Sequence, residues 1–222
     1  MSIRQVDVAI IDYRISNLFS VQAACKYVGL VSKVTNDTDI ILNAKSVILP
    51  GVGAFPRAMG NLKDLELLTV IDEFIQSGKP FMGICLGFQL LFSESMEFGK
   101  SKGLSIFKGK IKKLSNLDKD NKKIKVPHVS WSKIKIKKGG NKGSWSTSPF
   151  ESIKNGEHMY FVHSFFADSV KNELISSTTD YGGVTFCSSI YHKNVFACQF
   201  HPEKSAGEGI KIYENLYRTL KK

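Results

Sequence analysis

Three residues in this sequence could together carry acyl-transfer chemistry: Cys85, His201 and Glu203. Cys85 stands in Gly83-Ile84-Cys85-Leu86-Gly87, the Gly-x-nucleophile-x-Gly frame that serine hydrolases use for a sharp strand-to-helix turn. Such a turn crowds the backbone around the nucleophile, and positions without a Cβ relieve the clash. It also sets the sulfur at a helix N-terminus, where unpaired N–H groups and the helix dipole favour a thiolate. On its own, a cysteine between apolar residues is more often a small buried hydrophobe. Whether it does chemistry turns on whether the chain supplies a base.

His201-Pro202-Glu203 follows the apolar run Val195 to Phe200 and is the best candidate. In an extended segment residues i and i+2 point to the same side, so the imidazole and the carboxylate can sit together. One ring nitrogen would face Cys85 while Glu203 orients the ring and stabilises its cationic form, which is the nucleophile, base and orienter logic of a triad. The remaining histidines, His128, His158, His163 and His192, are weaker candidates. His163 could be structural or line a pocket, and His192, beside Lys193-Asn194, belongs to an exposed hairpin turn. For the oxyanion of acyl transfer, the Leu86 backbone N–H directly follows the nucleophile, and Gly51-Val52-Gly53 offers a second donor.

Positioning these residues requires strands that end at one rim. Val6 to Ile11, Val31 to Thr35, Ser46 to Leu49 and Phe81 to Ile84 are short apolar strand candidates. Between them, Ser16-Asn17 could cap a helix through Val28, and Leu65 to Gln76 has helical spacing up to Gly78. The apolar run Leu86 to Phe92 forms the helix after the nucleophile. Strands alternating with helices call for a mostly parallel central sheet flanked by helices, with sites at the carboxyl ends of the strands. Asp12-Tyr13, Pro50 to Phe55 and Cys85 should therefore converge. From Leu104 the pattern shifts to shorter antiparallel strands: Ile106 to Leu114, Ile134 to Ile136, Tyr160 to Phe165, Ser176 to Thr179, Val184 to Ile190 and Val195 to Phe200. Asn116 to Lys125 and Gly139 to Ser148 are polar loops, and Gly207 to Lys222 reads as a closing helix. With no repeat or long linker, residues 1–222 form one α/β domain.

Composition removes several function classes. The 222 residues are 42% hydrophobic and 23% charged, as in a globular chain rather than a disordered one. No apolar run reaches the roughly 20 residues of a membrane helix, and the start of the chain lacks a signal-peptide core, so a cytoplasmic location is expected. Four scattered cysteines, Cys25, Cys85, Cys187 and Cys198, have neither metal-site spacing nor a disulfide pattern. The net charge of +11 gathers between Lys108 and Lys142, without the arginines and aromatics that read bases. In Lys133-Ile134-Lys135-Ile136-Lys137 the alternation describes a lysine-coated, solvated strand or guarded sheet edge. Nucleic acid is not an expected partner.

With these pieces in place, the sequence resembles the class I, triad-type glutamine amidotransferases and, among them, the glutaminase subunits of imidazole glycerol phosphate synthase. The likeness runs from the first strand to the last helix. It rests on Asp12-Tyr13 with Ser16-Asn17-Leu18, Leu49 to Pro56, Gly83 to Gly87, Tyr160 to Ser164 and Gln199 to Ser205. The resemblance implies a glutaminase in which Cys85 attacks the carboxamide of glutamine, His201 moves protons and Glu203 orients it. It further implies that Gly53, Gln89, Ser164 and Phe165 hold the substrate, that Val52 and Leu86 serve the oxyanion, and that no metal or organic cofactor is needed. The ammonia would pass to a (β/α)8-barrel cyclase subunit in a heterodimer of the histidine pathway. Two departures, Arg14 and Ser16 where glycines are common, leave room for a relative that supplies a different synthase, such as one amidating a surface-polysaccharide sugar. A third departure is Phe165 where tyrosine is common. A non-catalytic activating subunit is a further alternative, against which the intact triad argues.

Overall fold

The apolar runs of the first ninety residues become the inner strands of one sheet, and the amphipathic segments between them cover its faces. The computed structural model describes residues 6–15, 17–118, 120–137 and 148–221. In chain order the first half gives β1 (Val8–Ile11), α1 (Leu18–Tyr27), β2 (Ser32–Thr35), α2 (Thr38–Asn43), β3 (Ser46–Leu49), α3 (Phe55–Asp64), α4 (Leu67–Gln76), β4 (Phe81–Ile84) and α5 (Leu86–Leu90). The second half gives β5 (Phe92–Ser95), β6 (Ser101–Lys102), β7 (Phe107–Lys113), β8 (His128–Lys133), β9 (Lys135–Ile136), β10 (His158–His163), β11 (Phe165–Asp168), β12 (Ile175–Tyr181), β13 (Val184–His192), β14 (Val195–Cys198) and α6 (Ala206–Leu220).

Five strands, in the order β2-β1-β3-β4-β14, run parallel, and the sheet continues through β13, β11, β7, β5 and β6 with mostly antiparallel pairing. The strand carrying Cys85 is therefore central, flanked by β3 on one side and by β14, which leads into His201, on the other. All four residues of β1, β3, β4 and β14 are buried, as parallel strands covered on both faces must be. One apolar layer gathers residues such as Leu49, Phe74 and Phe88, and the other gathers Val21, Phe161 and Tyr213. Hydrophobic burial of this extent is the main stabilising term of the fold. Strands β8 and β10 pair antiparallel as a separate ribbon.

The architecture is the expected α/β one, with differences at the level of elements. Two helices appear that the sequence reading did not name. Helix α2 has only six residues, too few to show a periodicity, and is started by Asp37, whose Oδ1 accepts from Ile40 N at 3.1 Å. Helix α3 begins inside the Pro/Gly stretch, with Pro56 in its first turn, where a missing N–H costs nothing. Its Phe55, Ala58 and Leu62 form the buried stripe. Helix α5 stops at Leu90, and Phe92 already belongs to a strand. Strand β8 lies where no strand was expected, and the run Tyr160 to Phe165 divides at Ser164 into β10 and β11. In the lysine alternation, Ile134 is buried while Ile136 sits on the exposed short strand β9, paired to β12. Ser16 and the stretch Gly139 to Ser148, apart from Ser148 itself, lie outside the described residues. Among the described residues no helix is long and apolar enough to cross a membrane.

Candidate functional site

Cys85 sits at the junction of β4 and α5 with φ 54° and ψ −105°, a left-handed conformation that a residue with a Cβ adopts only when its surroundings enforce it. The enforcement is visible on three sides. Its N–H donates to Cys198 O at 2.8 Å, Gln89 N donates to its carbonyl at 3.1 Å, and Gly87 lies against the β3 carboxyl end at Leu49. The turn thus carries the sulfur toward the strands' carboxyl rim. There Tyr13 Oη donates to Pro50 O at 2.7 Å and Asn61 donates to Tyr13 O at 2.9 Å, so the loops after β1 and β3 meet Cys85 as the sequence suggested.

His201 and Glu203 are in contact, but not for the reason of an extended segment. Pro202–Lys204 forms one turn of 3-10 helix, which folds the Glu203 carboxylate back onto the ring. His201 Nδ1 meets Glu203 Oε1 at 2.7 Å, with both side chains almost wholly buried. The other nitrogen, Nε2, is buried without an aligned partner and feels the Cys85 sulfur. Burial opposes a charge on this ring, yet the sulfur and then the Glu203 carboxylate outweigh it and push His201 up to about 10. The sulfur and the carboxylate thus both favour the protonated imidazole, the form that holds the proton taken from Cys85.

The cavity that opens onto the sulfur has a volume of about 450 Å³. Val52, Gly53, Leu86, Gln89, Ser164 and Phe165 line it together with Cys85, so the substrate and oxyanion residues named from the resemblance share one space with the cysteine, while His201 and Glu203 do not line it. A cavity of about 480 Å³ lies at the amino ends of β4 and β14, among Phe81, Tyr191, Asn194 and Arg218, and among the described residues no thiol or imidazole lines it. Within the Cys85 cavity the polar groups are interlocked. Gln89 Nε2 donates to Phe165 O at 2.8 Å and to Gln199 Oε1 at 2.9 Å, and Gln199 Nε2 points at the sulfur from 3.7 Å. Gln199 belongs to the run before His201, yet only the bend after β14 turns it inward.

The oxyanion donors are arranged differently from the expectation. Leu86 N–H donates to Gly51 O at 3.3 Å and is therefore committed to the β3 loop in this conformation. A Cβ on Gly51 would fall 2.3 Å from Tyr13 Oη and 2.8 Å from Leu86 Cβ, which is why the loop can approach so closely only with glycine there. Freeing Leu86 N–H for a substrate oxygen requires the Gly51 carbonyl to turn away.

Sequence reasoning gave Asn17 only a helix cap's role and named neither Glu97 nor a His128–His163 pairing. Glu97 lines the same cavity and its Oε2 accepts from Phe55 N at 2.7 Å, anchoring the first turn of α3. Asn17 Nδ2 donates to Glu203 Oε1 at 3.2 Å. His163 Nδ1 donates to Phe165 O at 2.8 Å, which makes its Nε2 the acceptor for His128 Nδ1 at 3.0 Å. His128 Nε2 then accepts from Ser130 and Ser132, each at 2.9 Å. These partners are 35 residues apart or more in several cases, and no local pattern joins them. His192 is exposed, as expected of its turn.

Burial pushes His128 down to about 4, and burial followed by the neighbouring His128 pushes His163 down to about 3. Both rings are neutral in the folded chain at neutral pH. Their folded pKa values lie below the unfolded value of about 6.5, so the unfolded chain binds more protons as pH falls below that point. Stability is present above pH 6.5 and declines from there toward pH 4. His201 runs the other way: its folded value of about 10 adds stability as pH falls toward 6.5, and it adds no slope only below about pH 5.5, where it is protonated in both states. A His128→Gln variant is expected to flatten the decline by up to about 1.4 kcal/mol per pH unit between pH 6 and pH 4.5, measured by urea unfolding at each pH. An unaltered slope would remove this pair as its source.

Comparison with known proteins gives a consistent result. The family model described as glutamine amidotransferase class-I matches residues 9–219. The chain is 45% identical to the imidazole glycerol phosphate synthase subunit HisH of Caldanaerobacter subterraneus, over 96% of this chain and 98% of that one. It is 42% identical to the subunit of the same name from Aquifex aeolicus, over 96% and 97%. Among solved structures, PurLQS from Thermotoga maritima superposes with a TM-score of 0.71 at 19% identity, covering 97% of this chain and 99% of that one, a likeness of fold.

Proposed function

The chain belongs to the class-I glutamine amidotransferase family, and from that premise we propose that it is the glutaminase subunit of an imidazole glycerol phosphate synthase, feeding ammonia to histidine biosynthesis. The reading is supported above all by the relay Glu203–His201–Cys85 at a cavity lined by Gln89, Ser164 and Phe165, in a chain whose whole length matches that subunit.

The reaction proceeds in two acyl transfers. Cys85 attacks the carboxamide carbon of glutamine as the thiolate, its proton having passed to His201. The C–N bond breaks as His201 gives a proton to the departing nitrogen, leaving ammonia and a thioester. Water, deprotonated by His201, then attacks the thioester, and collapse of the second tetrahedral species releases glutamate and restores the thiol. Val52 and Leu86 serve the oxyanion, while Gly53, Gln89, Ser164 and Phe165 hold the amino-acid end of the substrate. With Leu86 N–H spent on Gly51 O, the chain by itself is a slow glutaminase.

A (β/α)8-barrel cyclase docked on the carboxyl rim of the sheet receives the ammonia, and its binding turns the Gly51–Val52 peptide. Adding the cyclase with its nucleotide ligand is therefore expected to raise glutamate release by about 100-fold or more, the usual worth of an oxyanion donor. Release that is fast without a partner and indifferent to one would overturn the coupling. The Arg14 departure does not argue for another acceptor. Arg14 keeps the φ of 67° that a glycine would take, its N–H donating to Asp12 Oδ1 at 3.0 Å, so the loop retains a glycine-like backbone.

A further inference from the structure

Glu203 carries its hydrogen bonds on one oxygen. Oε1 takes His201 Nδ1 at 2.7 Å and Asn17 Nδ2 at 3.2 Å, while Oε2 is buried with no hydrogen-bond partner. A carboxylate held through a single oxygen by a single ring can swing about its terminal bond. The second donor, Asn17, is what fixes the plane. Asn17 is itself fixed, because Ser20 Oγ donates to its Oδ1 at 3.0 Å, which leaves the amide nitrogen facing Glu203. The residue occupies the N-cap position of α1, yet its side chain makes no capping bond. A cap residue that spends its amide 186 positions away on the catalytic carboxylate is serving that carboxylate.

We propose that Asn17 is a positioning residue of the catalytic relay, holding Glu203 so that His201 faces Cys85. This rests on the glutaminase reading for the chemistry that the relay performs, but not for the relay's geometry. The position also has a consequence for the rim. Asn17 lies just after the loop that follows β1, so a disturbance of that loop reaches the triad through one amide. The ionisable groups that face Glu203 are His201 on its own turn, Cys198 on β14 and Tyr213 on α6; Cys85 and, from β10, His163 act on His201 beyond it.

Aspartate at position 17 separates this role from helix capping. It has the shape of asparagine and caps helices equally well, but it has no donor unless protonated. With one proton shared, an Asn17→Asp carboxyl can still donate to Glu203; without it, two buried carboxylates repel. In the complete complex, Asn17→Asp activity relative to the unaltered chain is expected to fall at least tenfold between pH 6 and pH 9. Asn17→Ala should lower kcat about tenfold at every pH and keep KM for glutamine within twofold.

A second measurement does not need turnover. The rate of Cys85 alkylation by iodoacetamide, read by peptide mass spectrometry, should fall in Asn17→Asp relative to the unaltered chain over the same pH range. If Asn17→Asp tracks the unaltered chain in both assays, or Asn17→Ala changes KM alone, Asn17 does not position the relay and the proposal fails. If glutamine is not hydrolysed at all but the alkylation ratio falls with pH, the glutaminase reading fails and the positioning role stands.

Discussion

Replacing Cys85 with alanine is expected to abolish glutamine-dependent product formation by the complex, a loss on the order of a million-fold in kcat, as when a triad loses its nucleophile. Ammonia-dependent formation by the synthase partner should stay within about twofold. The two assays together make the result specific. Alanine retains a Cβ, so the strained turn with φ 54° is neither relaxed nor worsened, and the small helix α5 keeps its place. No other thiol can stand in. Cys25, Cys187 and Cys198 are all buried, burial pushes Cys25 and Cys187 up to about 12, and Cys198 is likewise pushed upward. Among the described residues lining the cavity, Cys85 is the only thiol and Ser164 the only hydroxyl. Glutamate release from Cys85→Ala at more than a hundredth of the original rate would show that the cysteine is not the nucleophile.

What the sequence disclosed about this site depended on how local the cause was. The Cys85 turn was legible because two glycines two residues away on either side are its cause, and His201 with Glu203 because both lie within one turn of chain. Even there the reason differed, since a 3-10 turn and not a strand brings the carboxylate to the ring. The commitment of Leu86 N–H to Gly51 O was not legible, because it depends on which way one peptide faces across two loops. Asn17 read as a cap since the residue type is a cap; only packing of α1 against the His201 turn redirects its amide. The His128–His163 chain is further from reach still, because the β8–β10 pairing that aligns the rings joins segments far apart in the sequence. In the fold, burial patterns marked the long apolar runs, whereas α2 and α3 were hidden by shortness and by Pro56 and Gly60, residues that suit a helix start or an exposed turn of helix as well as a loop.

Gly87 provides the second large effect, and it bears on the fold and the site together. A Cβ there would lie 1.8 Å from Leu49 O and 2.8 Å from Leu49 C, and neither atom belongs to a side chain that can move aside. Leu49 ends the central strand β3, which is paired on both sides, to β1 and to β4. The methyl of Gly87→Ala must therefore push either that strand or the helix that carries Cys85. Overpacking of a core costs about 1–3 kcal/mol when side chains can adjust, and backbone on both sides puts this case at or above the upper end. The melting temperature should drop by roughly 10 °C or more, and whatever folds should have lost its alignment of Cys85 with His201. Gly60→Ala supplies the contrast. It is exposed in α3 with nothing within 4 Å of its Cβ position, so alanine should stabilise the helix by up to about 1 kcal/mol. Equal melting temperatures for the two variants would mean that the elbow tolerates a side chain and that its glycine serves no close approach. The expected opposite signs would instead identify contact with Leu49 O, not helix propensity, as the reason a glycine stands two residues after Cys85.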